Sequence, residues 1–448
     1  MNRAFPTLFL ILAAPAFAAE PNIPRYHFEV GQEIVYDSSS EFRFDNGHHG
    51  TKCHLTLWVT RQNTDGSWHL VGHSQSEFSQ SRGGTPGADV VNKMEQFTAF
   101  DLGSDGTVVH KPDGFQSGEL TSPFPSLPKD LETARQGWQT TDAESGDTNR
   151  YRLDEAGDPT HDQWTIRQDI KGVFNEIYLM ESSSRFHFDP ARGLFDRIDS
   201  EYSQGWGFVG KGTGTQELKS VTVKDPTWLE RFIRQSDIFF SGKAGIRSAY
   251  DDKKDTRSAL NQAEAKLRES RQKVTMPLLQ SQIDKALSQL DDSRKYEFNE
   301  QTEEATVDHK PSPDWQCTDL DGHSHSLADY RGKVIILDFW YRGCGWCIKA
   351  MPQIKEVVDH YQGKPVVVLG MNTDSNEKDA RFVAEKLALN YITLKATGLP
   401  DKYKIHGFPT LIIIDQNGVV SGRHKGYSPT LRDSIFHDID ALLAGPKD

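Results

Sequence analysis

A chain of 448 residues is too long for one ordinary hydrophobic core, so two or three domains are expected, with 36% apolar and 10% aromatic residues to fill them. A formal net charge of −13 speaks against a phosphate backbone as partner, because such binding needs clustered Lys and Arg, and no nucleic-acid role is expected. The 26% of charged residues describe a soluble chain.

At the N-terminus, Arg3 supplies a positive charge, Leu8 to Ala14 form a short apolar run, and Ala16-Phe17-Ala18 places small residues where a signal peptidase reads them. This predicts a signal peptide over residues 1–18, cleaved before Ala19, and a periplasmic or otherwise exported protein that is soluble after export. A buried N-terminal helix and an uncleaved anchor are the competing readings. The apolar run is too short for a comfortable membrane span, and no Cys follows it to carry a lipid.

Residues 19–225 read as an antiparallel β-rich domain. Cys53, Leu55, Leu57 and Val59 alternate with His54, Thr56, Trp58 and Thr60, and Asn63-Thr64-Asp65-Gly66 turns the chain into a strand starting near Trp68. The device recurs around Ser104-Asp105-Gly106 and around Asp189-Pro190-Ala191-Arg192-Gly193, with a Pro-rich surface loop near Ser122 to Lys129. This stretch carries no nucleophile motif, phosphate loop or metal spacing, so its role stays open.

Residues 226–298 change to a helical period. Trp228, Phe232, Ile238 and Phe239 suit one helix; Ala259, Ala263 and Leu267, then Leu278, Ile283, Leu287 and Leu290, suit two more, and a helical hairpin is expected. Residues 299–313 are polar, acidic and end in Pro311-Ser312-Pro313, which reads as a linker. From 314 to 448 strands alternate with helices, the pattern of a partly parallel α/β sheet. Val334 to Phe339 is the buried central strand, and a helix follows from Cys344 to about Tyr361.

Cys344-Gly345-Trp346-Cys347 therefore falls at a strand-to-helix junction. A thiolate is stabilised by the free N–H groups and dipole of a helix N-terminus, so Cys344 reads as the exposed nucleophile and Cys347, one turn further in, as the residue that resolves a mixed disulfide. Arg342 would add positive potential. A zinc site lacks a second ligand pair, and a c-type haem would need His where Ile348 stands, so neither metal nor cofactor is expected. A purely structural bridge would close almost no loop.

These residues resemble the thioredoxin-like thiol–disulfide oxidoreductases of the TlpA/ResA type, over about a third of the chain. Asp319-Leu320-Asp321-Gly322, Leu327 and Tyr330-Arg331-Gly332-Lys333 match the family's entry segment; Asp338-Phe339-Trp340 precedes the Cys pair at the family spacing; Pro352 matches the active-site-helix proline; and Gly407-Phe408-Pro409-Thr410 matches the cis-proline loop. The resemblance implies that Pro409 is cis and lies against the Cys pair, that the backbone of Phe408 pairs with an extended substrate, and that Asp338 is buried beneath Cys347 as a proton acceptor. It also implies protein thiol or disulfide substrates and, for a reductase, a membrane electron donor. Two positions depart from the family's usual pattern, Gly343 before the first Cys and Gly345-Trp346 between the pair, so the direction of electron flow is not set. Trp346 reads equally as a substrate contact or a shield over Cys347.

Cys53 and Cys317 read as buried thiols, with a bridge between domains as the alternative. His48, His49, His54, His69 and His73, and later His323 and His325, show no accompanying carboxylate pattern and read as solvated. The leading functional expectation is an exported thiol–disulfide oxidoreductase acting on proteins. The alternatives are a ligand- or partner-binding β protein with an accessory redox module, and a thiol peroxidase. The last has Tyr341 where a peroxidase would place Thr.

Overall fold

The computed structural model describes residues 23–44, 47–82, 90–110, 124–141, 148–154, 164–174, 178–205, 210–246, 249 and 256–444. The signal-peptide pattern of residues 1–18 lies outside them.

Eleven strands make one antiparallel sheet: β1 (Gln32–Phe44), β2 (Gly47–Gln62), β3 (Trp68–Arg82), β4 (Val90–Leu102), β5 (Val108–His110), β6 (Trp138–Thr141), β7 (Thr148–Leu153), β8 (Trp164–Phe174), β9 (Tyr178–Asp189), β10 (Leu194–Gly205) and β11 (Gly210–Val223). Two meanders meet along β1 and β11, giving the order β5-β4-β3-β2-β1-β11-β10-β9-β8-β7-β6. The turns follow from local chemistry. At the tip between β2 and β3, Gly66 takes φ 87°, which a side chain would strain, and Asp65 accepts the backbone N–H of Ser67 at 3.0 Å.

Alternation gives the sheet two apolar faces. Tyr36, Leu55, Leu70 and Phe100 from one meander share a core with Trp164, Phe186 and Phe195 from the other, so the sheet curls and its halves close on each other at one end. Within that core the Tyr36 hydroxyl donates to the carbonyl of Phe195 at 2.8 Å. The outer face over β2 to β4 carries Trp58, Val71, Phe97 and Ala99. Three helices cover this patch: after the short α1 (Leu131–Gln136) come α2 (Pro226–Lys243), α3 (Thr256–Lys273) and α4 (Pro277–Glu304). Leu267, Leu279 and Ile283 are fully buried there, each stabilising by about 2 kcal/mol.

Two sequence expectations change here. Helix α4 continues to Glu304, into the stretch read as linker, because its charged residues are paired across to the next domain instead of solvated. Lys425 meets Glu300 at 3.1 Å and Glu304 at 3.3 Å, Arg423 meets Asp308 at 2.8 Å, and Val307 enters the C-terminal core. The histidines also have carboxylates after all. His54 meets Asp37 at 2.7 Å, His69 meets Asp101 at 2.5 Å and His73 meets Glu95 at 2.5 Å, partners that only cross-strand register brings together. Among the described residues no group of three or more His, Cys, Asp or Glu is placed to hold a metal ion, and no helix is long and apolar enough to cross a membrane. Cys53 and Cys317 are buried thiols in separate cores.

The C-terminal domain opens with the short pair β12 (Gln316–Thr318) and β13 (Ser324–Ser326) and is built on a five-stranded sheet. That sheet comprises β14 (Val334–Trp340), β15 (Val366–Asn372), β16 (Ile392–Lys395), β17 (Thr410–Ile414) and β18 (Val420–Lys425), in the order β16-β15-β14-β17-β18. The first three are parallel, and β17 and β18 are antiparallel additions. Helices α5 (Gly345–His360), α6 (Glu377–Lys386), the one-turn α7 (Leu399–Lys402) and α8 (Leu431–Ala444) complete it.

Candidate active site

Every residue of β14 is buried, and its two faces divide by period two. Ile335, Leu337 and Phe339 join the core containing Tyr403 and Ile412. Val334 and Ile336 pack with Ala350, Ile354 and Val357 of α5, and Trp340 packs with Cys347, Ile348 and Met351 at the start of that helix. Asp338 sits between Ile336 and Trp340 on this same face, so its carboxyl lies in the layer beneath the redox helix.

Cys344 and Cys347 are bridged, with Cα atoms 5.2 Å apart. Cys344 is the N-cap of α5, and its sulfur accepts the Cys347 N–H at 3.1 Å. The two residues are 5% and 1% exposed. The expectation of an exposed first sulfur is therefore corrected: in the bridged state Cys344 is nearly closed to solvent and Cys347 essentially fully so. Phe408 packs against the cluster that holds both cysteines, and Tyr341 meets it edge-on at 5.3 Å. Between the two cysteines in sequence, Trp346 is 58% exposed and stacks on Tyr427 at 5.6 Å, with the Lys349 ammonium about 5 Å from both rings, at 5.1 and 4.9 Å. Trp346 thus presents a fixed ring to solvent. Pro409 follows Phe408 through a cis peptide bond, and Pro352 lies inside α5.

Arg342 does not offer bare positive potential. Its guanidinium pairs with Asp379 at 2.5 Å and lies 4.2 Å from the Phe382 ring centroid, while its backbone N–H donates to Asp374 at 2.9 Å. It clips the loop before the Cys pair to α6.

Asp338 is 1% exposed, and the Tyr391 hydroxyl donates to its carboxyl at 3.2 Å. Burial pushes the carboxyl up to about 7, against the smaller opposing pull of the Tyr391 hydrogen bond. Gly370 is the register partner of Asp338 on β15, and a Cβ there would stand 3.0 Å from the Trp340 ring nitrogen and 3.1 Å from the Tyr391 ring, so the absence of a side chain makes room for both. Tyr391, which lies 53 residues from Asp338, carries no signal in a single sequence that would have found it. Tyr427 and Asp374 were missed for the same reason.

Residues 308–443 match the Redoxin family model. Over 111 residues the chain is 33% identical to the thiol-disulfide oxidoreductase ResA of Geobacillus kaustophilus, a match covering 24% of this chain and 64% of that protein, just under two thirds of its length. Over 118 residues it is 31% identical to the thioredoxin-like protein YneN of Bacillus subtilis, covering 26% of this chain and 69% of that one. Among solved structures, a thiol:disulfide interchange protein from Bacteroides sp. is 28% identical, with a TM-score of 0.27, over 31% of this chain and 94% of that chain.

Proposed function

Because the chain belongs, through its C-terminal domain, to the thioredoxin-like thiol–disulfide oxidoreductases of the ResA type, we propose that it exchanges disulfides with protein substrates in an exported compartment. The observation that carries the reading is the bridged Cys344–Cys347 pair at the mouth of a helix, above a buried carboxyl poised near neutrality. The signal-peptide pattern of residues 1–18 supports the compartment.

In the reducing direction, the Cys344 thiolate attacks one sulfur of a client disulfide. A bond forms between Cys344 and that sulfur while the client's other sulfur leaves with the electron pair and takes a proton. The Cys347 thiol then gives its proton to the Asp338 carboxylate and attacks Cys344, closing the internal bridge and releasing the client's second thiolate. Two electrons have moved from the pair to the client, and a dithiol donor at the membrane restores them. Pro409 and the Phe408 backbone position the extended client, and the exposed ring of Trp346 packs against it.

Tyr391 is a positioning residue for Asp338. Its hydroxyl favours the ionised carboxyl, so Tyr391→Phe is expected to move the midpoint of the resolving step to higher pH while leaving the first attack by Cys344 unchanged. Stopped-flow mixing across pH 5 to 9 checks it; a profile identical to wild type would remove Tyr391 from the proton path.

Cys347→Ala is the test of the whole reading. With the resolving sulfur gone, a mixed disulfide on Cys344 should accumulate when the variant meets an extract of exported proteins, be released by dithiothreitol, and yield its client to mass spectrometry. A folded variant that accumulates no thiol-sensitive adduct would overturn the proposal.

A further inference from the structure

Inside the curled sheet lies a cavity of about 670 Å³. None of the described residues that line it is Asp, Glu, Lys, Arg or His, in a chain with 26% charged residues. Strand register explains both the space and its chemistry. Toward one end, the inward positions hold large apolar residues that close the core, such as Tyr36, Leu55 and Phe186. Further along the strands they turn small and hydroxylic. Thr51, Ser40, Gly214, Ser200, Ser184 and Gln168 are successive register partners across β2, β1, β11, β10, β9 and β8, one continuous row on the concave face. Tyr151 on β7 is the next partner in that row.

Strand β11 carries Gly210, Gly212 and Gly214 at alternate positions. The first two leave room for the Phe42 and Tyr202 rings, and Gly214, which lines the cavity, is the position where a Cβ would stand 3.3 Å from that of Ser40. Two rings lining the cavity are held flat by partners. Tyr202 stacks on Phe42 at 5.7 Å with 5° between planes, and Tyr151 stacks on Trp138 at 5.4 Å with 13°. Ser184 is only 8% exposed, its hydroxyl 2.8 Å from that of Ser200, so the polar lining is built into the wall rather than resting on a surface.

This lining discriminates between ligands. A charged ligand would leave water and find no counter-charge among the described lining residues. An aliphatic chain would strip water from a row of hydroxyls and return no hydrogen bonds. A molecule that carries its own hydroxyls and also presents flat C–H faces to aromatic rings satisfies both parts of the wall, and the volume suits a small molecule. We infer that the concave face of the N-terminal domain binds a short uncharged oligosaccharide, a function separate from disulfide exchange and independent of that reading.

The test uses the full chain and isothermal titration with maltotriose, cellotriose and tri-N-acetylchitotriose, beside laurate and trigalacturonate. At least one neutral trisaccharide is expected to bind more tightly than either control. Gly214→Val puts a side chain into the cavity and Gln168→Leu removes an amide from the row. Each should weaken that binding at least tenfold, with the rate of disulfide exchange unchanged. Gln168→Leu keeps the test valid should Gly214→Val fail to fold. The inference is overturned if none of the three sugars binds, if laurate or trigalacturonate binds more tightly, or if a folded variant binds as wild type does.

Discussion

Asp338→Asn is expected to slow the resolving step by about a hundredfold and, at pH 8, to make the C-terminal domain more stable by about 4 kcal/mol. The two effects share one cause. The Asp338 carboxyl titrates near 3.8 in an unfolded chain and at about 7 in the buried site. Below pH 4 both states hold the proton and the site costs nothing. Between pH 4 and 7 the folded chain keeps a proton that the unfolded chain releases, so stability falls as pH rises, and above 7 the whole cost is in place. Asparagine cannot ionise, and its side-chain oxygen can still accept the Tyr391 hydroxyl. The variant should therefore match wild type at pH 4 and exceed it at pH 8, which urea unfolding of the full chain at the two pH values measures. A stability gain of the same size at both would show that packing, not ionisation, separates the two side chains. The kinetic loss follows from the proton path proposed above: if Asp338 takes the Cys347 proton, asparagine leaves that thiol without its acceptor as it attacks.

How far the residues alone reach toward this site depends on the range of the interaction. The Cys pair, the apolar run of β14 before it and the helix after it are contiguous, so their arrangement is written in local periodicity. Gly407-Phe408-Pro409 is distant from them, yet a distinctive tripeptide in the right order marks its place. Tyr391 has neither advantage, since its hydroxyl finds Asp338 only because parallel strands bring β16 within reach of β14 across β15. The same limit hid the partners of His54, His69 and His73, and it made the acidic end of α4 look like linker, because the basic residues it meets, Arg423 and Lys425, lie over a hundred positions later in the chain. Alternation predicts which face of β1 or β10 a serine occupies. Only the register of four strands, β1, β11, β10 and β9, shows that Ser40, Ser200 and Ser184 line up.

Cys344→Ser is expected to reduce disulfide exchange to the uncatalysed background while leaving the fold intact, and the second half of that statement gives the first its meaning. Cys344 caps α5 through its sulfur, which accepts the Cys347 N–H at 3.1 Å. Serine is among the preferred N-cap residues, so its hydroxyl can take over the same N–H, and the helix should lose no more than about 1 kcal/mol. What serine cannot supply is an anion at neutral pH, since its hydroxyl lacks the acidity that a thiol gains at a helix N-terminus. The surviving sulfur does not substitute, because Cys347 is 1% exposed and sits behind the first position. Thermal unfolding and an insulin-reduction assay with dithiothreitol, run on the same preparation, separate the two terms. Loss of turnover with an unchanged melting profile assigns the attack to Cys344. Turnover that persists would place the attacking sulfur elsewhere, and Cys347 would then have to leave its pocket on every cycle, which rapid alkylation of that thiol in the variant would reveal.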